Sequence, residues 1–269
     1  MRRICQSEKD AVESIFLKSI YRNEHPGWFD LWQLSETNGG VFLDETDKYR
    51  IVLGFQPISQ SLMWLHSFIC DRFPSDYDMI RAIRACGFSR GSAVYTISSH
   101  GWYSMLLDRF SFRKCDEIIQ LETDNIRVPS KAMDLTAEPF DKADAARIHE
   151  ACEPAFPPLW QLHEREFSAA CEWADIRLCI RHKGVIAGYI LAELVDGNCH
   201  ISRLAVAGNY QHLGKASALV RNLIYACRER GIASFSVNTN KTNAAAVAFY
   251  NSLNLKQTGK TYPVCYKYI

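Results

Sequence analysis

Six consecutive residues, Gln211-His212-Leu213-Gly214-Lys215-Ala216, have the composition of an anion-binding turn. They follow a strand-like apolar stretch, residues 199–207, and open a helix-like one, residues 216–230. N–H groups at a helix start have no partner within the helix, and the dipole makes that end positive, so a phosphate or pyrophosphate is stabilised there. Gly214 permits close approach of backbone to ligand, Ala216 keeps the helix entry narrow, and Lys215 adds a cation. Downstream, Asn243-x-x-Ala246-x-x-Phe249-Tyr250 stands between β-rich segments at 233–239 and 262–268. A phenol, with a reference pKa of about 10, can act as a proton donor. Tyr250 also fits the apolar face of an amphipathic helix, where its ring would pack in a core. Asn243 suits a helix N-cap.

These residues need a frame of strands and helices. After a linker at 125–131, residues 132–136 read as a strand, and Asp141 as the N-cap of a helix through Ala145, Ile148 and Ala151. A loop with Pro154, Phe156, Pro157, Pro158 and Trp160 leads to a second helix at 164–173. Strands follow at 176–181 and 185–195 around the turn His182-Lys183-Gly184.

The element order and the two motifs together resemble the acyl-CoA half of the GNAT (GCN5-related) N-acetyltransferase family, over residues 199–269 and back to about 132. The resemblance implies acetyl-CoA as co-substrate and a small amine as acceptor, by direct attack in a ternary complex. It implies that the 211–216 loop binds the pyrophosphate, with Gln211, His212, Leu213, Gly214, Lys215 and Ala216 as contacts. It further implies that Leu204, Ala205 and Val206 offer backbone groups to the pantetheine arm, that Asn243 contacts CoA, and that Tyr250 is the general acid. Asn254 replaces the family's usual glycine, and asparagine also tolerates the left-handed backbone of a helix end.

For the base, one branch of the family places a glutamate where this chain has His200, eleven residues before Gln211. With a period of two, His200 is expected to share a face with Ser202, Leu204 and Val206, and Arg203 to lie on the other face in a salt bridge or cap. Histidine titrates near neutrality and suits the role; Glu193 on the preceding strand is the rival, and a water chain is the third option. Phe156, Trp160 and Tyr262 fall in the segments that shape the acceptor pocket in the family. An acyl-CoA sensor without turnover is the alternative function.

The first half repeats the outline, with a helix at 10–20, a loop containing Pro26 and Trp28, and strands at 41–44, 49–55 and 62–69. A helix at 77–86, a strand at 93–98, a helix at 102–110 and a strand at 117–122 follow, and Leu31-Trp32-Gln33-Leu34 echoes Leu159-Trp160-Gln161-Leu162. Its loop, from Cys70 to Asp78, has no glycine, a proline that lacks an N–H, and three aspartates that would repel a pyrophosphate. The expected fold is thus α/β (α+β): two tandem GNAT-like domains, each a mixed, mostly antiparallel sheet flanked by helices. Residues 1–125 would be a degenerate domain and 132–269 the acetyl-CoA domain.

Composition agrees. The 269 residues are 48% hydrophobic and 12% aromatic, enough for two cores, and the net charge of +1 argues against a nucleic-acid partner. No apolar run is long enough to span a membrane, and the polar start carries no signal peptide, so a cytoplasmic location is expected. Ten scattered cysteines read as reduced and buried, and eight histidines show no metal-ligand spacing, so no metal is expected. Oligomeric state is not encoded in any of these features.

Overall fold

The computed structural model describes residues 1–8, 12–15, 19, 21–24, 40–87, 90–129 and 136–269. The helix expected at 10–20, the loop with Pro26, Trp28 and Leu31 to Leu34, and the strand at 132–136 fall wholly or largely outside those residues. The described chain forms two compact units. One comprises Met1–Glu117 with Tyr262–Ile269, the other Ile118–Thr261. Sequence had set the division at 1–125 and 132–269; the units differ in that each takes a strand from the opposite half of the chain.

In the first unit, β1 (Arg2–Ile4), β3 (Gly40–Glu45), β4 (Arg50–Ser59), β5 (Leu62–Cys70) and β6 (Ala93–Ile97) are neighbours in that order, and β2 (Tyr21–Glu24) pairs with β5. Beyond β6 come residues 264–268, antiparallel to it. Helix α1 (Asp76–Ala85) buries Met79, Ala82 and Ile83, and α2 (Gly101–Arg109) buries Tyr103, Leu106 and Leu107. Both pack into a core with Leu53, Phe55 and Phe68. The aspartates of the 70–78 loop have structural partners: Asp71 accepts from Arg50, Asp76 from Arg109, and Asp78 from the N-cap Ser75.

The second unit opens on the end of β7 (Arg113–Thr123), followed by β8 (Glu138–Pro139), α3 (Lys142–Cys152) and α4 (Glu164–Trp173). Strands β9 (Ile176–His182), β10 (Val185–Val195) and β11 (Asn198–Val206) form a meander. Then come α5 (Lys215–Arg228), β12 (Ser234–Asn240), α6 (Ala244–Ser252) and β13 (Lys256–Tyr268). The sheet order is β7-β12-β11-β10-β9-β8, antiparallel except for β11 with β12. Asp141 caps α3 as expected, accepting from Ala143 and Asp144. One core joins Ile119 and Leu121 of β7 to Ile201, Phe235, Leu219 and Tyr250.

The units repeat at residue level. Adding 136 to each number in the pair Arg2↔Leu43 gives Glu138↔Cys179, which are also partners. Each third strand of the meander carries one extra residue in a β-bulge, His66 in β5 and Ser202 in β11, again 136 apart. Bulges of this kind bend a strand and reverse its side-chain alternation, and here both units place one at the same point.

Candidate functional site

Strands β11 and β12 run side by side from Asn198↔Ser234 to Ile201↔Val237, and the ladder stops there. Beyond it β11 pairs only with β10, and β12 only with β7. Residues 202–206 and 238–240 therefore border a fork inside the sheet. Among the described residues no strand fills it. Backbone polar groups bordering such a fork need partners from water or a ligand. One is met locally, since Gln211 Nε2 donates to the Val206 carbonyl at 3.1 Å.

The loop at the mouth of α5 is shaped by two left-handed residues, His212 at φ 60° and Gly214 at φ 71°. Gly214 is the N-cap of α5 and offers no side-chain cap, and the first turn carries no acid. The first-turn N–H groups therefore receive no bond from the cap residue's side chain, and water or an anion can meet them. Gly188 makes this end of the strand possible: a Cβ there would come within 2.7 Å of the Ala205 carbonyl oxygen. Lys215 differs from expectation. Its side chain is buried, with Nζ 3.4 Å from His182 Nδ1, and Tyr210 packs on the His182 ring. Leu213 is exposed and Ala216 half-buried.

The bulge at Ser202 corrects the face assignment of β11. Cys199 and Ile201 enter the core that holds Tyr250, and Leu204 and Val206 pack on that same core. His200 therefore does not share a face with Leu204 and Val206. It shares one with Arg203, because the extra residue at Ser202 shifts the alternation by one. On that face four residues stand in one cross-strand row: Glu193 opposite His200, His200 opposite Ser236, and Ser236 opposite Glu122.

The row is wired. Ser234 Oγ donates to Asn198 Oδ1, Asn198 Nδ2 donates to Ser236 Oγ at 2.7 Å, and His200 Nδ1 lies 3.0 Å from that same oxygen. Burial lowers the His200 pKa below its ordinary 6.5 and favours the neutral ring. Burial raises Glu193 above 4.5, partly offset by a hydrogen bond with Ser202. Both half-buried groups are thereby moved toward use as proton acceptors.

Tyr250 lies on the opposite side of the sheet, 6% exposed, in contact with Phe249. Burial pushes its phenol up. Among the described residues its hydroxyl has no hydrogen-bond partner, although a buried tyrosine normally finds one. Asn243 caps α6 through Oδ1 to Ala246 N at 3.1 Å, and Asn254 ends it at φ 73°, as its residue type allows.

Arg203 reaches from β11 to the loop after α3. Its Nη2 donates to both Glu153 carboxylate oxygens and to the Trp160 carbonyl, and its Nε donates to the Tyr189 hydroxyl. Its guanidinium sits 3.9 Å over the Phe156 ring. Glu153 also accepts from Leu162 N, and Tyr189 donates to it. Burial works against the charge on Arg203, but Tyr189 and Glu153 outweigh it and hold its pKa up. Phe156 and Trp160 thus meet at this cluster, whereas Tyr262 belongs to the first unit. Sequence reading missed Glu153, which follows Cys152 at the end of an amphipathic helix and has no signal of burial.

The second unit thus combines a splayed parallel strand pair, a left-handed loop at an uncapped helix start and a phenol without a partner among the described residues. Residues 145–254 match the Acetyltransferase (GNAT) family, the mark of an acyltransferase domain in this part of the chain. It is 28% identical over 103 residues to the [ribosomal protein bS18]-alanine N-acetyltransferase of Escherichia coli (strain K12), covering 38% of this chain and 67% of that protein. Among solved structures it resembles an acetyltransferase from the GNAT family of Colwellia psychrerythraea, with TM-score 0.58, 13% identity and coverage of 100% and 99% of the two chains. A GCN5-related N-acetyltransferase from Sphaerobacter thermophilus gives TM-score 0.57 and 15% identity, over 88% and 84%. A tandem GNAT protein from the clavulanic acid biosynthesis pathway gives 0.55 and 10%, over 85% and 83%. At these identities the structures share the fold. Among the described residues no group of three or more metal-ligating side chains occurs, and no helix is long and apolar enough to cross a membrane. All ten cysteines are free thiols.

Proposed function

We propose that this protein transfers an acetyl group from acetyl-CoA to a primary amine, using the second unit alone. The observation that carries this reading is the open fork between β11 and β12, which leads to the uncapped start of α5. The fork suits an extended, amide-bearing arm, and residues 211–216 suit a pyrophosphate, with Leu204, Ala205, Val206 and Asn243 beside them. Acetyl-CoA supplies an activated thioester. The chain's own residues hold it, exclude water and move two protons. Glu193 or His200 takes a proton from the acceptor's ammonium on the polar face, and the neutral amine attacks the thioester carbonyl. Tyr250, whose hydroxyl has no partner among the described residues, gives a proton to the departing thiolate.

The acceptor enters beside Phe156 and Trp160, on the face of the Glu193–His200 row. A small amine is the favoured acceptor, because aromatic rings and a fixed guanidinium shape that end of the unit. The relation to an enzyme whose printed name specifies a protein alanine makes a peptide N-terminus the second reading. Both are separated by measuring free thiol release from acetyl-CoA over a library of small amines and alanine-ended peptides. Gly214→Glu should abolish release and acetyl-CoA binding together, since it puts a carboxylate where the anion sits. Acetyl-CoA binding without turnover on any acceptor would leave the sensor function in its place.

A further inference from the structure

We infer that the first unit keeps the same cofactor fork and fills it with its own strand β2, which stands in for the arm of an acyl-CoA. The inference rests on the reading of the second unit's fork given above.

The geometry is closely repeated. Strand β5 runs beside β6 from Leu62↔Ala93 to Trp64↔Tyr95, and there their ladder ends, as β11 and β12 part after Ile201 and Val237. The bulge follows within two residues in both units. In the second unit the edge formed by residues 203–206 has no strand against it on the β12 side among the described residues. The equivalent edge of β5, Ser67 to Cys70, is paired with β2 in four register positions, Glu24↔Ser67 to Tyr21↔Cys70. An extended segment added to a free strand edge satisfies exactly the backbone groups that a fork leaves over, which is the physics of strand addition.

β2 also reaches the other prong. Asn23 is 1% exposed; its Nδ2 donates to the Ile97 carbonyl and its Oδ1 accepts from Ser99 N, both at 3.0 Å. One strand therefore bonds β5 through its backbone and the end of β6 through a side-chain amide. Its first residue closes the entrance. The Tyr21 ring packs 4.0 Å from Phe73, in the loop that replaces the pyrophosphate turn, and 5.4 Å from Trp102 at the start of α2. Because β2 is covalently part of the unit, its effective concentration in the fork is far above that of any free ligand. The first unit is thus complete without a cofactor, and the chain has one acyl-CoA site.

Hydrogen exchange on the full chain, with and without saturating acetyl-CoA, tests this. Amides of residues 67–70 should be protected in both conditions and unchanged by the ligand. Amides of residues 203–206 should slow by about tenfold or more when acetyl-CoA is added. Asn23→Ala should speed exchange at 67–70 and 97–99 while the acetyl-CoA Kd stays the same. Added protection at 67–70 on acetyl-CoA binding, or free exchange there without it, would overturn the inference. Lack of any change at 203–206, with 67–70 protected, would instead remove the cofactor reading of the second fork and the analogy with it. If Asn23→Ala does not fold, the comparison on the unaltered chain still decides.

Discussion

Arg203 and Glu153 form a buried ion pair, Nη2 to Oε2 at 3.0 Å, with side chains 9% and 5% exposed. The pair ties the bulged part of β11 to the loop that carries Phe156 and Trp160. Its net value is small against two apolar residues, because both charges were taken from water, but its disruption is costly. Glu153→Ala should therefore destabilise the second unit by about 3–5 kcal/mol in urea denaturation. The double variant Glu153→Leu with Arg203→Met should recover much of that loss, yet raise KM for the acceptor by loosening the loop. A double variant as unstable as the single one would show that the pair is not the cause.

Tyr250→Phe removes a hydroxyl that no described protein group uses. Stability and the acetyl-CoA Kd should stay close to those of the parent, while kcat falls by about 10²-fold. Full kcat in the variant would pass the acid role to water.

The polar row has a signed pH dependence. The Glu193 pKa is raised on folding, so its contribution is present below 4.5 and is lost as pH rises through the folded value. Glu193→Gln should then stabilise the protein at pH 7 relative to pH 4. The His200 pKa is lowered, so stability is present above 6.5 and is lost as pH falls toward the folded value; His200→Asn should flatten that acid-side loss. Denaturation midpoints against pH check both signs.

Kinetics then choose between the two as base. If His200 accepts the ammonium proton, His200→Ala loses most activity below neutral pH and recovers partly as free amine accumulates. Glu193→Gln behaves that way if the carboxylate is the base. The profile of kcat/KM against pH for the two variants separates them, and an unaltered acid limb in both leaves the water chain.

Gly188→Ala places a methyl group 2.7 Å from the Ala205 carbonyl oxygen and 3.3 Å from Leu219. Overpacking of this kind costs about 1–3 kcal/mol, and here it displaces the strand end that borders the fork. The expected result is a lower Tm and weaker acetyl-CoA binding together. A variant with parental Tm and Kd would mean that the strand end shifts freely.

The sequence alone determined the elements that local physics controls. Helices α1 to α6, strands β3 to β7 and strands β9 to β12 lie within a few residues of where periodicity, caps and turns placed them. The left-handed position at Asn254 and the Asn243 cap followed from residue type. The tertiary structure decided whatever depends on a partner distant in the chain. The bulge at Ser202 appears only when β11 is laid against β10, and one extra residue there moves Leu204 and Val206 to the core and Arg203 to the face of His200. Lys215 looks like a free cation until the unit folds and buries it against His182. Ile119 and Leu121 join the second core, and Cys265 and Ile269 the first, because a strand is assigned by the edge it pairs with, and edges are formed by other segments.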